Sequence, residues 1–268
     1  MDIIKIKNLS FSYETKEIFN NINLNIANNK TTMLIGTNGS GKSTLINILL
    51  GLIPHQGTIY IDNILLNKEN IYEIRKKIGY VNDKTEDLFL GVNVLDNLVY
   101  NLENLCYKDE LIKENLDYIV NLFKLNNILD KESYNLSKSK KQLINIAASL
   151  IHKPNILIID EGLNYLNKED KEILSNAIKQ YKYDHNLSIL LVTHDTNITI
   201  LSDTIILLKD GSIIFKDNPS KLYNNKTLLE ELNIEIPFIV KLSNALIEQK
   251  IINKIYLDKK ELVNHLWK

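Results

Sequence analysis

Along the first sixty residues, apolar and polar positions alternate with a period of two. Ile4 and Ile6 alternate with Lys5 and Lys7, and Ile22, Leu24 and Ile26 alternate with Asn23 and Asn25. Successive side chains of a strand point to opposite faces, so this pattern predicts strands buried on one side only. Together with Thr58, Ile59, Tyr60 and Ile61 it predicts a half-exposed antiparallel sheet. Four later runs, at 33–35, 156–159, 189–192 and 205–208, are apolar without interruption. Such runs suit parallel strands covered on both faces by helices. Residues 92–150 show helical periodicity and few strand signals, which predicts a helical subdomain inserted into the α/β core. Pro219 and the polar stretch near 225 mark a break, giving an expected division into residues 1–217 and 218–268. Two short amphipathic helices are expected beyond it.

Composition narrows the classes. The chain has 268 residues, 32 basic and 33 acidic, which argues against a nucleic-acid-binding surface. Cys106 is the sole cysteine, so no internal disulfide forms and a reducing compartment is expected. No apolar run approaches the ~18 residues of a membrane span, and no signal-type segment opens the sequence. The protein is expected to be soluble or peripheral. Arg75 is the sole arginine, which leaves mechanisms built on arginine fingers almost nothing to use.

One motif carries specific chemistry. Gly36, Thr37, Asn38, Gly39, Ser40, Gly41, Lys42, Ser43 and Thr44 follow an apolar strand and open a helix-patterned run. In this G-x₄-G-K-[ST] arrangement the glycines free backbone N–H groups to wrap phosphate oxygens. Lys42 reaches the β and γ phosphates and Ser43 offers a hydroxyl to Mg²⁺. The expectation is a P-loop NTPase: an α/β fold with a RecA-like, mostly parallel core, binding a nucleoside triphosphate.

Asp160 and Glu161 end a buried apolar run. Carboxylates at the carboxyl edge of a parallel sheet face the phosphate crevice, where Asp160 can hold Mg²⁺ through water and Glu161 can accept a proton from an attacking water. His194 follows another apolar run and could contact a γ-phosphate or be a plain polar cap. His152, at a helix end, reads as a complement to the helix dipole. Tyr13 could stack on a base or be ordinarily half-buried.

The order of these features, with LSKSKKQ at 136–142 between the helical segment and Asp160, resembles the ATP-binding-cassette (ABC) ATPases over residues 3 to about 217. That resemblance implies adenine stacking by Tyr13, general-base chemistry by Glu161 and a switch role for His194. It also implies that Ser137, Lys138 and Ser139 face the ATP of a second subunit in a head-to-tail dimer. Segments 69–81, 94–105, 234–242 and 259–267 are similar to the ATPase subunits of energy-coupling factor importers, the last closest to the first of their two ATPase types. The implied cofactors are ATP and Mg²⁺. The implied partners are a second ABC ATPase subunit, a transmembrane coupling subunit and a substrate-binding membrane subunit, at the cytoplasmic face of the cell membrane. The tail stripes at 238–246 and 262–267 are then expected to hold the two ATPase subunits together.

The chain departs from that family where LSGGQ is expected. Lys138, Ser139 and Lys140 replace Gly-Gly-Gln, and bulky substituents there deny a phosphate close backbone approach. Asp83 stands where a Mg²⁺-contacting glutamine is usual, Asn167 replaces an aspartate and Leu143 an arginine. Lys42, Ser43, Asp160, Glu161 and His194 are all present, so the departures fall on the site completed for the partner. A homodimer would impair both sites, and a heterodimer is expected. A mainly structural nucleotide-binding subunit, or a soluble ABC ATPase without a membrane partner, are the alternatives.

Overall fold

The computed structural model describes residues 1–84, 89–195, 202–232 and 234–267. The alternating N-terminal pattern folds as an antiparallel sheet of β1 (Asp2–Tyr13), β2 (Lys16–Ala27), β4 (Gln56–Ile61) and β5 (Ile64–Leu65), in the order β2-β1-β4-β5. Ile4 pairs with both Ile26 and Ile61, which puts the apolar positions of three strands on one face.

The uninterrupted runs form a second sheet: β3 (Thr31–Gly36), β6 (Ile78–Val81), β7 (Ile156–Asp160), β8 (Ser188–Val192), β9 (Thr204–Lys209) and β10 (Ser212–Asp217), in the order β10-β9-β3-β8-β7-β6. All its pairings are parallel except the hairpin of β9 with β10. These strands are apolar throughout because alternate residues serve two cores. Leu34, Ile158, Leu190 and Leu208 pack toward the antiparallel sheet and α1 (Lys42–Leu49). Met33, Leu157, Leu191 and Leu207 pack on the opposite face.

That opposite face is covered by α3 (Val94–Asn104), α4 (Asp109–Leu122), α5 (Lys138–Leu150) and α6 (Lys168–Asp184), which contribute Leu98, Val120, Ile144 and Leu174 to one cluster. The short α2 (Ile71–Lys76) precedes β6. Leu143, where the family pattern has arginine, is fully buried in this core. His152 is buried just beyond α5, and burial holds its pKa down at about 4. The expectation of a charged helix-end histidine is therefore corrected: the imidazole is neutral because desolvation outweighs any dipole attraction.

Beyond residue 218 the described residues form four helices where two were expected: α7 (Pro219–Tyr223), α8 (Lys226–Glu231), α9 (Phe238–Glu248) and α10 (Lys259–Leu266). Pro219 starts a helix, and Asn218 caps it by accepting from the Lys221 amide. Leu222, Tyr223, Val240, Tyr256 and Leu262 join the same core as Met33. Across the polar break the buried side chains continue onto one core. Among the described residues no helix is long and apolar enough to cross a membrane.

Candidate functional site

The strand β3 runs out at Gly36 and α1 begins at Lys42, so residues 36–42 form a turn at the carboxyl edge of the parallel sheet. Gly41 caps the helix at φ 106°, and a Cβ there would lie 2.8 Å from the Phe19 ring. Only glycine suits both the left-handed backbone and that approach. Thr37, Asn38, Gly39 and Ser43 are exposed, whereas Ser40 and Thr44 are buried. The Lys42 ammonium folds back over the turn, donating to the Gly36 carbonyl at 2.7 Å and the Thr37 carbonyl at 3.0 Å. Burial lowers its pKa, opposed by the Glu161 and Asp160 carboxylates.

Sheet order brings the acidic groups to this turn. β8 lies between β3 and β7, and Asp160 at the end of β7 pairs in register with Val192 at the end of β8. Desolvation raises the Asp160 pKa to about 6, reinforced by the charges of Glu161 and then Asp83 and opposed by Lys42. Glu161 takes a left-handed backbone, φ 57°, and its amide donates to the Val192 carbonyl at 2.8 Å. Its side chain accepts from Thr193 Oγ1 at 3.1 Å and meets His194 Nδ1 at 2.9 Å. Lys42, Asp160, Glu161 and His194 thus form one charged neighbourhood. Asp83 is exposed just beyond β6 and adds its field to Asp160.

Two predicted elements lie outside this cluster. Tyr13 sits at the hairpin end of β1, 47% exposed, with its ring edge-on to Phe11 at 4.7 Å. The 136–142 stretch begins α5, where Ser137 caps the helix by accepting from the Lys140 amide at 3.2 Å. Lys138 is exposed, but Ser139 is buried. Ser139 Oγ donates to Asp170 Oδ2, and Lys140 Nζ pairs with Asp170 Oδ1 at 2.5 Å.

Other residues emerge only from the structure. Thr193 orients Glu161, and Asp170 engages the start of α5. Gln142 donates through Nε2 to the Asn82 carbonyl at 3.1 Å. Leu232 and Ile234 line a small cavity with Gly36, Thr37 and His194. The sequence offered a faint signal for Asp170: Asn167 and Asp170 stand in a cap-and-third-residue spacing, and the Asp170 amide does donate to Asn167 Oδ1 at 2.8 Å. Nothing local pointed to Leu232 or Ile234.

Comparison with known proteins accords with this arrangement. Residues 19–164 match the ABC transporter family model. The chain is 34% identical to the energy-coupling factor transporter ATP-binding protein EcfA1 of Oenococcus oeni, over 100% of this chain and 98% of that one. It is 34% identical to EcfA1 of Mesomycoplasma hyopneumoniae strain 7448, over 99% and 98% of the two chains. Among solved structures, CbiO1 from Clostridium perfringens, described as part of the ABC transporter complex cbiONQ, superposes with a TM-score of 0.77 at 26% identity. That superposition covers 91% of this chain and 99% of the other. The chain therefore belongs to the ABC transporter family of ATPases and, within it, to the ATP-binding proteins of energy-coupling factor transporters.

Proposed function

We propose that this chain is the ATP-hydrolysing subunit of an importer for vitamins or metal ions, working as a heterodimer with a second ATPase subunit. The observation that carries this reading is the grouping of Glu161, His194 and Lys42 at one sheet edge. Residues 36–44 wrap the triphosphate, Lys42 faces its β and γ phosphates and Tyr13 stacks on the adenine. Glu161 accepts the proton of the attacking water. His194 donates through Nδ1 to Glu161, and a contact of its Nε2 with a γ-phosphate oxygen requires the imidazolium form, in which both nitrogens donate.

The residues present fit Mg²⁺. The ion takes one or two protein oxygens and completes its shell with water and phosphate. Burial and the charges of Glu161 and Asp83 all disfavour the Asp160 carboxylate, with Lys42 as the opposing cation, which leaves negative charge for a divalent ion to offset. Ser43 and Asp160 hold it, with Asp83 near. When bound, the ion neutralises charge developing on the phosphates.

Residues 136–142 supply the other half of the partner's site. There Lys138 and Ser139 replace two glycines, so the amide cradle is degraded and that site turns over slowly. Losing one oriented donor costs ~10²–10³ in rate. The C-terminal helical region, 218–268, joins the two subunits. A transmembrane coupling protein and a substrate-binding membrane protein complete the assembly at the cytoplasmic face of the membrane. The test is basal ATP hydrolysis by the purified complex beside its Glu161→Gln variant. A rate unchanged by that substitution assigns the chemistry to the partner and leaves this chain a nucleotide-binding structural subunit.

A further inference from the structure

The segment between Glu161 and α6 packs closely against α5 at its start and is hydrogen-bonded to it at its end. At its start Gly162 has φ 87°, and a Cβ there would lie 2.3 Å from Gln142 Nε2. At its end the Asn167 amide donates to Ser139 Oγ at 3.0 Å. Ser139 Oγ donates onward to Asp170 Oδ2, Lys140 Nζ pairs with Asp170 Oδ1, and the Asp170 amide returns to Asn167 Oδ1. The ring Asn167–Ser139–Asp170 is closed. Asp170 is 1% exposed, and each of its carboxylate oxygens has one donor. A carboxylate so buried is tolerable only while paired, and removing one partner is far costlier than removing both.

We propose that Asp170 is a positioning residue for Glu161: through Ser139 and Lys140 it locks residues 162–167 onto the first turns of α5. The inference rests on the reading of Glu161 as the proton acceptor. It gives the 136–142 stretch a second task, on this chain's own site, beyond the surface it turns to a partner. Lys138 is exposed and takes no part in the lock. Ser139 and Lys140 face Asp170, and Ser139 also holds the end of the segment that follows Glu161. Replacing Lys138, Ser139 and Lys140 by Gly-Gly-Gln therefore removes the Ser139 hydroxyl and the Lys140 charge from Asp170, and it weakens this chain's site while repairing the other.

The experiment uses the heterodimer with the partner's own proton acceptor silenced, so that only this chain's site turns over. Lys140→Ala leaves Asp170 charged and half-paired. The expected result is a fall in kcat of at least tenfold with KM for ATP within twofold. Lys140→Arg keeps the pair and retains the wild-type kcat within threefold. Lys140→Ala combined with Asp170→Asn removes both charges and recovers kcat to within threefold of wild type. A role in folding alone predicts a lower Tm with kcat unchanged in the folded fraction, and that result overturns the proposal. So does a loss that appears in KM. Amide exchange over 162–167 is read in the same samples and rises at least tenfold in Lys140→Ala or, if that variant does not fold, in Ser139→Ala. Unchanged exchange overturns the lock. If exchange rises while Glu161→Gln still hydrolyses ATP, the lock stands and the reading of Glu161 falls.

Discussion

Glu161 Oε1 lies 2.9 Å from His194 Nδ1. A carboxylate at neutral pH only accepts, so the imidazole donates from Nδ1 and keeps Nε2 as its free face. Thr193 Oγ1 holds the second carboxylate oxygen at 3.1 Å, so Glu161 is aimed from two sides before any nucleotide arrives.

Replacing Glu161 by Gln preserves its shape and removes the proton acceptor. Hydrolysis by the heterodimer is expected to fall by ~10²–10⁴ while ATP binding persists. On the proposed heterodimer reading, the equivalent change in the partner is expected to matter less, because residues 136–142 of this chain would complete that site without its two glycines. Phosphate release and ATP binding measured on both variants check this; equal losses contradict the asymmetry.

Lys42 bonds two loop carbonyls, at 2.7 and 3.0 Å, and on the proposed function it exchanges them for phosphate oxygens. Hydrogen bonds to charged groups contribute about 1.5–3 kcal/mol, so Lys42→Ala should weaken ATP binding by roughly 10–100-fold. Calorimetric titration with ATP measures it, and unchanged affinity removes the phosphate-loop assignment.

Asp160 is expected to make the nucleotide-free protein less stable above pH 6. Its folded pKa is raised from 3.8 to about 6 by burial and neighbouring carboxylates. A raised pKa means a contribution that is full below the unfolded value and lost as pH rises through the folded one. Asp160→Asn should therefore raise Tm at pH 7.5, with the difference closing toward pH 4, while hydrolysis is lost. Thermal melts across that range decide it; a lower Tm at pH 7.5 counts against a strained carboxylate.

His152 acts in the opposite direction. Nε2 faces the Ile78 carbonyl at 3.3 Å, and Nδ1 is buried with no partner among the described residues. Its folded pKa is depressed from 6.5 to about 4, so its contribution is present above 6.5 and lost as pH falls through that window. The full shift corresponds to about 3 kcal/mol. His152→Gln should flatten the fall of Tm between pH 7 and pH 4.5; an unchanged slope assigns the acid sensitivity elsewhere.

At the C-terminus Leu262 is buried on its own core, while Phe238 and Trp267 are 76% and 85% exposed. On the proposed reading these two rings, the most exposed large apolar side chains beyond residue 218 among the described residues, face the partner subunit. Fully burying such a side chain is worth ~1.5–3 kcal/mol, so Phe238→Ala with Trp267→Ala should weaken nucleotide-free association by at least tenfold. The isolated subunit should keep its Tm. Sedimentation without ATP checks this, and an undisturbed heterodimer assigns the contact elsewhere.

The sequence by itself determined what is local. The G-x₄-G-K-[ST] turn is legible because glycine spacing, a preceding strand and a following helix are all set by neighbours in the chain. The two sheets are legible because their patterns, alternating against continuous, report one buried face or two. Tertiary structure decided what depends on distant neighbours. The order β3-β8-β7 sets Gly36, Val192 and Asp160 at adjacent strand ends, and no periodicity encodes that order. The four helices after residue 218 were half missed, because α7 and α8, of five and six residues, are too short for a helical period to register. Asp170 lies in the first turn of α6, where the local sequence marks no more than an ordinary helix-start acid. Only packing of α6 against α5 buries it beside Ser139 and Lys140, where an unpaired charge is not tolerated and each oxygen must find a donor.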